Sequence, residues 1–353
     1  MGDTRTGQAG ARRPGRAYIG SFTSAGGRGV LAADVDPETG ALDITGASDA
    51  VADPSFLALD GGVLYAVSET EDGAAAAFGI GGPAPRPLGR PTSVEGAGPT
   101  HLAVTGGHVL TANYASGSVT VLPRTADGTL EPATGQVRHE GGGPVADRQE
   151  GPHAHQVLPD PSGRWILAVD LGTDSVYVTA LDPATGALRP HGSTALRPGT
   201  GPRHLAFHPG GDHAYVLNEL EPSVTVCRWD AGAGVLTPLG ETSVVPEGAA
   251  GPSHPSEVVV APDGRFLWAA VRGDDTIAVL ALDEDGESAR LVASVPCGGH
   301  WPRDLTLAPS GRHLYAANER SGDVTWFAVD PDTGLPERAG AIPAPAASCV
   351  VFA

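Results

Sequence analysis

The sequence predicts an all-β chain: a seven-bladed β-propeller, its ring closed by the C-terminal strand joining the N-terminal blade. Three observations lead there. A proline-containing step into a short apolar run recurs at Pro54, Pro99, Pro152, Pro202, Pro255 and Pro302, at intervals of 45, 53, 50, 53 and 47 residues. A four-stranded blade takes roughly 40–50 residues. Gly 50 and Pro 32 are high for 353 residues, which suits many tight turns between short strands. No long run places apolar residues at i, i+3, i+4 and i+7 between caps, so helices are not expected.

The repeating unit is plainest over 201–219. Residues 205–207 are a short apolar run, Pro209-Gly-Gly-Asp212 is turn chemistry, and 214–217 are apolar and rich in β formers. Matching turns stand at Pro159-Asp-Pro-Ser-Gly163, Pro262-Asp-Gly264 and Pro309-Ser-Gly311. Third strands alternate at 118–122, 175–179, 223–227, 276–280 and 323–327. Asp36-Pro-Glu-Thr-Gly40, Asp182-Pro-Ala-Thr-Gly186 and Asp330-Pro-Asp-Thr-Gly334 mark the turn into a fourth strand. The two ends complement one another. Residues 347–352 read as a first strand with no second strand after it, and 16–20 as a second strand with no first strand before it. Pairing them closes the ring and removes open edges. Residues 1–16, polar and Gly/Arg-rich, are expected as a flexible tail, with 17–353 a single propeller domain.

Composition narrows the function. The formal charge is −19, which argues against nucleic acid or an anionic membrane as partner. All 22 basic residues are arginine, so Schiff-base and phosphate-loop lysine chemistry is excluded. Cys227, Cys297 and Cys349 form no CxxC pair and suit a reducing compartment. The N-terminus lacks the apolar run of a signal peptide, and no stretch approaches about 18 consecutive apolar residues. The expectation is a cytoplasmic protein, a monomer or weak homo-oligomer. HExxH, G-x-S-x-G, P-loop and dinucleotide fingerprints are all missing, so no metal and no cofactor is expected.

In an antiparallel hairpin the start of the first strand and the end of the second share one edge. Half of the twelve histidines, His101, His153, His155, His204, His254 and His300, fall at or near first-strand starts, with Arg203 and Arg303. Second strands end at Glu69, Asn113, Asp170, Asn218, Glu219, Arg272, Asn318 and Glu319. Both sets are therefore expected around one mouth of the central channel, where converging arginine, histidine and carboxylate describe a small-molecule site. Asn113, Asn218 and Asn318 share one position and read as turn caps. His108, His213 and His313 lie beside the opposite turn and read as surface residues of the repeat. The longest connection, around 141–150, carries Arg148.

These residues resemble the propeller-type 6-phosphogluconolactonase family, the lactonase seven-bladed propellers, which also includes the fungal 3-carboxy-cis,cis-muconate lactonizing enzyme. The matching motifs are Arg148-Gln-Glu-Gly-Pro-His-Ala-His155, Gly201-Pro-Arg-His204 with Asn218-Glu219, His254-Pro-Ser-Glu257, Arg272-Gly-Asp-Asp275, Pro302-Arg-Asp304 and 112–119. Val271 departs from the asparagine that relatives often carry before the arginine. The resemblance implies a catalytic set of His155, Arg203, Glu219 and Arg272, with Arg148, His204, His254, Glu257, His300 and Arg303 binding substrate. The implied reaction is hydrolysis of a sugar-acid lactone, 6-phosphoglucono-δ-lactone first among them. Glu219 or His155 would activate water, Arg203 would face the oxyanion, and Arg272 with Arg303 or Arg148 would hold a small anionic substrate. The alternatives are muconate-type lactonisation at the same site and a non-catalytic binding platform.

Overall fold

The computed structural model describes residues 15–249 and 251–353. Most of the expected tail therefore lies outside the described residues, while Gly15 and Arg16 already belong to the strand Gly15–Ser21. Seven four-stranded antiparallel sheets follow one another, each with strands in sequence order except the first. In blade 1 the C-terminal strand Ala347–Phe352 pairs with Gly15–Ser21, followed by Val30–Val35 and Leu42–Ser48. The closure expected from the unmatched chain ends is thus formed, with Tyr18 opposite Val351 and Ile19 opposite Val350. Each first strand touches the first strand of the next blade all the way round, so the ring is complete. The described chain contains one 3₁₀ turn, Thr23–Ala25, and no α-helix.

Strand alternation explains how the blades hold together. Successive side chains point to opposite sheet faces, and in a propeller those faces meet neighbouring blades. Ala17 and Ile19 pack with Tyr315, Ala317 and Val324 of blade 7, whereas Tyr18 packs with Leu57, Leu64 and Phe78 of blade 2. Seven apolar clusters each fill one such junction. A polar lock recurs beside them. Tyr65, Tyr215 and Tyr315 donate their hydroxyls to the Gly128, Gly286 and Gly40 carbonyls of the next blade, at 3.0, 3.0 and 2.6 Å. Trp165 and Trp268 do the same from indole nitrogen to Ala231 and Gly334.

Gly40 shows why the Asp-Pro-x-Thr-Gly turn needs its glycine. Its φ is +71°, and a Cβ there would lie 2.7 Å from the His313 ring. The expectation that His108, His213 and His313 are surface residues is corrected by the same geometry. All three are buried, sealed under the glycine turns of adjacent blades. The asparagines are structural, as expected. Asn218 Nδ2 donates to Ser223 and Thr225, and Asn113 and Asn318 tie third strands in the same way. Val271 replaces this bond with burial in the junction between blades 5 and 6.

Candidate active site

The mouth of the channel is shaped by a repeated irregularity. Pairing register slips at the mouth end of six first strands, around Ser348, Thr100, His155, Arg203, 256–257 and Arg303. A bulge adds one residue and re-aims its side chain, so two successive side chains reach the channel from one strand. Two tiers result. His155, Arg203, Ser256 and Arg303 stand in the upper tier. Phe56, His101, Gln156, His204, Glu257, Asp304 and Cys349 form the lower tier. All of these but His204 line a cavity of about 420 Å³ that continues along the channel past Val259, Leu307 and Phe352.

In the upper tier Glu219 is the hub. Its Oε1 accepts from Arg148 Nη2 at 2.7 Å, and its Oε2 lies 2.8 Å from Arg272 Nη2 and 3.3 Å from Arg203 Nε. Arg203 and Glu219 are 3% and 7% exposed, whereas Arg148, on the long loop, is 36% exposed. Burial alone would raise the Glu219 carboxyl; the charges of Arg272, Arg203 and Arg148 outweigh it and hold the group far below the usual carboxylate range. Arg203 also donates to the Ser256 carbonyl, and Arg272 to the carbonyls of His254 and Pro255 at 3.0 and 3.3 Å. Arg303 is clasped by Glu69 and Glu319 at 3.3 and 3.4 Å and lies over the Phe22 ring.

A polar chain descends from this cluster. His155 Nδ1 is 3.2 Å from His204 Nε2, and His204 Nδ1 is 2.6 Å from Glu257 Oε2. Burial, with Arg203 next, pushes both His155 and His204 well below the ordinary histidine value, so both rings are neutral. Glu257 and Asp304 are buried side by side. Burial pushes Glu257 up to about 7, and burial with the neighbouring Glu257 charge pushes Asp304 up to about 8. Asp304 Oδ2 accepts from the Val350 amide at 2.8 Å and from Thr306 at 3.1 Å.

The structure therefore brings His155, Arg203, Glu219, Arg272 and Arg148 together, with His254 beside Arg272 and Arg303 on the facing wall. Three expectations need correcting in position. His204 and Glu257 lie in the lower tier and are buried, because the bulge sends the second residue of each step downward. His300 stands apart: its ring is 53% exposed and bonds Asp275 on the loop outside the cluster. Asp170 is structural, holding His139 at 2.6 Å and the His153 amide at 2.9 Å. Sequence reasoning missed two participants. Asp304 was legible, since Pro202-Arg-His204 and Pro302-Arg-Asp304 share one register. Trp301, whose ring lies under Arg320 and Arg272 at 3.4 and 5.4 Å, left no periodic signal.

A closed seven-bladed propeller with arginines gathered round one carboxylate at its channel mouth, beside a buried histidine, defines the class. The chain belongs to the family described as lactonase, 7-bladed beta-propeller, whose profile matches residues 16–352. It is 33% identical over 294 residues to the 6-phosphogluconolactonase of Bacillus subtilis, covering 80% of this chain and 82% of that one. A solved protein from Lactobacillus plantarum superposes with a TM-score of 0.91 at 30% identity, covering 96% and 99% of the two chains. The periplasmic gluconolactonase of Pseudomonas aeruginosa gives 0.88 at 28% identity, covering 96% and 98%. No described helix is long and apolar enough to cross a membrane.

Proposed function

We propose that this protein hydrolyses a sugar-acid lactone bearing a phosphate or carboxylate, with 6-phosphoglucono-δ-lactone the first substrate to test. The observation that carries the reading is the arginine cluster on Glu219 with neutral His155 alongside. The lactonase names of the Bacillus and Pseudomonas relatives support a lactone as substrate.

The electrostatics favour His155 over Glu219 as the base. Glu219 is held ionised by three guanidiniums, so it takes a proton poorly. Its part is to fix the spacing of the arginines. His155 is neutral and is the better acceptor. His155 takes a proton from water as the water oxygen adds to the lactone carbonyl carbon. Arg203 faces the developing oxyanion. Collapse breaks the ring C–O bond, and the ring oxygen takes the proton back from His155, leaving the open hydroxy acid. Arg272, Arg148 and Arg303 hold the anionic end by charge-assisted hydrogen bonds. Burial and the charges of Arg203, Arg303 and Arg272 oppose protonation of His155. A bound substrate anion offsets those cations and makes His155 a stronger base. Three buried, unpaired cysteines suit a reducing compartment, although the Pseudomonas relative is described as periplasmic.

The test is turnover of freshly generated 6-phosphoglucono-δ-lactone by chelator-treated protein, after subtraction of spontaneous opening. Arg203→Ala is expected to lower kcat on the order of 10²–10³-fold. Full activity in a folded Arg203→Ala protein refutes the mechanism. No lactone opening, with cyclisation of a carboxymuconate instead, replaces it with the lactonising reading.

A further inference from the structure

We propose that Glu257 and Asp304 are positioning residues for His155: acting through His204, they keep the proton of His155 on Nδ1 and leave Nε2 as its proton-accepting atom. The inference rests on the lactone-hydrolysis reading for its catalytic meaning, but its proton assignment stands on geometry.

A neutral imidazole has one donor nitrogen and one acceptor nitrogen. His204 sits between two partners, with Nδ1 2.6 Å from Glu257 Oε2 and Nε2 3.2 Å from His155 Nδ1. An ionised Glu257 only accepts, so His204 must donate from Nδ1. Its Nε2 is then a lone pair, and His155 must donate to it from Nδ1. The remaining nitrogen, His155 Nε2, is left bare, and it has no hydrogen-bond partner among the described residues. The chain runs the other way only if Glu257 carries a proton toward His204.

Asp304 decides between the two directions. Two carboxyls in contact cannot both ionise readily. Burial lifts both. Glu257 Oε1 already accepts from the Val258 amide at 3.0 Å and Oε2 faces His204, whereas one Asp304 oxygen has no other hydrogen-bond partner among the described residues, so that oxygen carries the shared proton toward Glu257. The other Asp304 oxygen is committed to the Val350 amide and Thr306. The groups facing Glu257 favour the same state. Arg203 and His204 approach from the first strand of blade 5 and Asp304 from blade 7, while His101 and Cys349 line the cavity opposite. Of these Arg203 is the cation, and it stabilises an ionised Glu257. Burial keeps His101 neutral and the Cys349 thiol protonated. When His155 takes a proton, the Glu257 charge offsets the new imidazolium through two hydrogen bonds. A base oriented by a third group is the general logic of activated catalytic pairs.

The test reads the tautomers directly. In the full-length protein with ¹⁵N-labelled histidine, on the alkaline side of neutrality, His155 and His204 should both show protonated Nδ1 and bare Nε2. Asp304→Asn, which still presents an N–H to Glu257, should keep that pattern. Glu257→Gln should lose it and lower kcat by about 10–100-fold, with KM little changed and the acid limb of the pH profile displaced. A protonated Nε2 on His155 in the native protein overturns the proposal, as does a Glu257→Gln protein whose tautomers and kcat match the native ones. If Glu257→Gln does not fold, the native spectrum and Asp304→Asn still decide it. The expected tautomers without lactone turnover would refute the reaction reading while leaving the proton assignment standing.

Discussion

Glu219→Gln separates the hub's charge from its shape. The amide fills the same space, but Arg203 and Arg272 lose their anion while staying 3% and 7% exposed. Removing one partner of a buried ion pair costs about 3–5 kcal/mol. The exposed Arg148 contact adds at most about 1 kcal/mol. The retained amide oxygen can still accept from one arginine, so about 3 kcal/mol is expected, a fall of several degrees in melting temperature. The guanidiniums left without their counter-charge then favour a free anion beside them. Binding only to the folded state stabilises by about 2.7 kcal/mol at a hundredfold excess over Kd. Phosphate at constant pH and ionic strength should therefore raise the melting temperature of the variant more than that of the native protein. The sign with pH is fixed as well. The folded carboxyl lies below its unfolded value near 4, so its contribution is present above about pH 4 and fades as the pH falls further. The two proteins should converge in acid. Equal melting temperatures in chloride near neutral pH, or equal phosphate shifts, would refute the claim that Glu219 holds the arginines by charge.

Three further outcomes follow from the same geometry. Tyr315→Phe removes the 2.6 Å bond to the Gly40 carbonyl across the closing junction and should cost about 0.5–1.5 kcal/mol in urea unfolding without changing activity. The raised carboxyls of Asp304 and Glu257 mean that the native state holds protons the unfolded chain lacks between about pH 4 and 8, so this contribution falls as the pH rises through that window. Asp304→Asn should flatten the loss, read as the urea midpoint at about pH 5 and pH 9. An unphosphorylated lactone of the same ring size should show a lower kcat, not only a higher KM, because nothing then offsets the arginines around His155; equal kcat values for the two lactones would refute that coupling.

The architecture was legible because it is repetitive. Proline steps, turn signals and alternating strands each occur several times, and the unmatched ends at 16–20 and 347–352 specify their own pairing. The site was legible to the level of the mouth but not of the tier. Strict alternation lets one of Arg203 and His204 face the channel, and the bulge lets both do so. A bulge is set by pairing across the sheet, so a single strand's pattern does not reveal it. The same gap hid the buried histidines. His313 resembles a polar residue beside a turn until the Gly40 turn of the neighbouring blade is laid over it. His300 shows the converse. It too lies near the start of a first strand, but its ring bonds Asp275 outside the cluster, and that partner lies 25 residues away.

The charge distribution links these levels. A protein of formal charge −19 repels anions at long range, yet its mouth gathers Arg148, Arg203, Arg272 and Arg303 against Glu219, Glu69 and Glu319. Screening confines the repulsion, since exposed charges lose most influence beyond roughly 8–10 Å at ordinary salt. Inside the mouth the guanidiniums are desolvated and their field is far less screened. Glu219 holds Arg148, Arg203 and Arg272 in place without cancelling them, because they outnumber it three to one. The excess cation is what an anionic substrate would complete in the proposed reaction. The arrangement therefore couples recognition to basicity. Under the proposed reaction, the charge that would bind the substrate's anionic end is the same charge whose neutralisation would let His155 accept a proton, while the carboxyl pair beneath would keep its accepting nitrogen free.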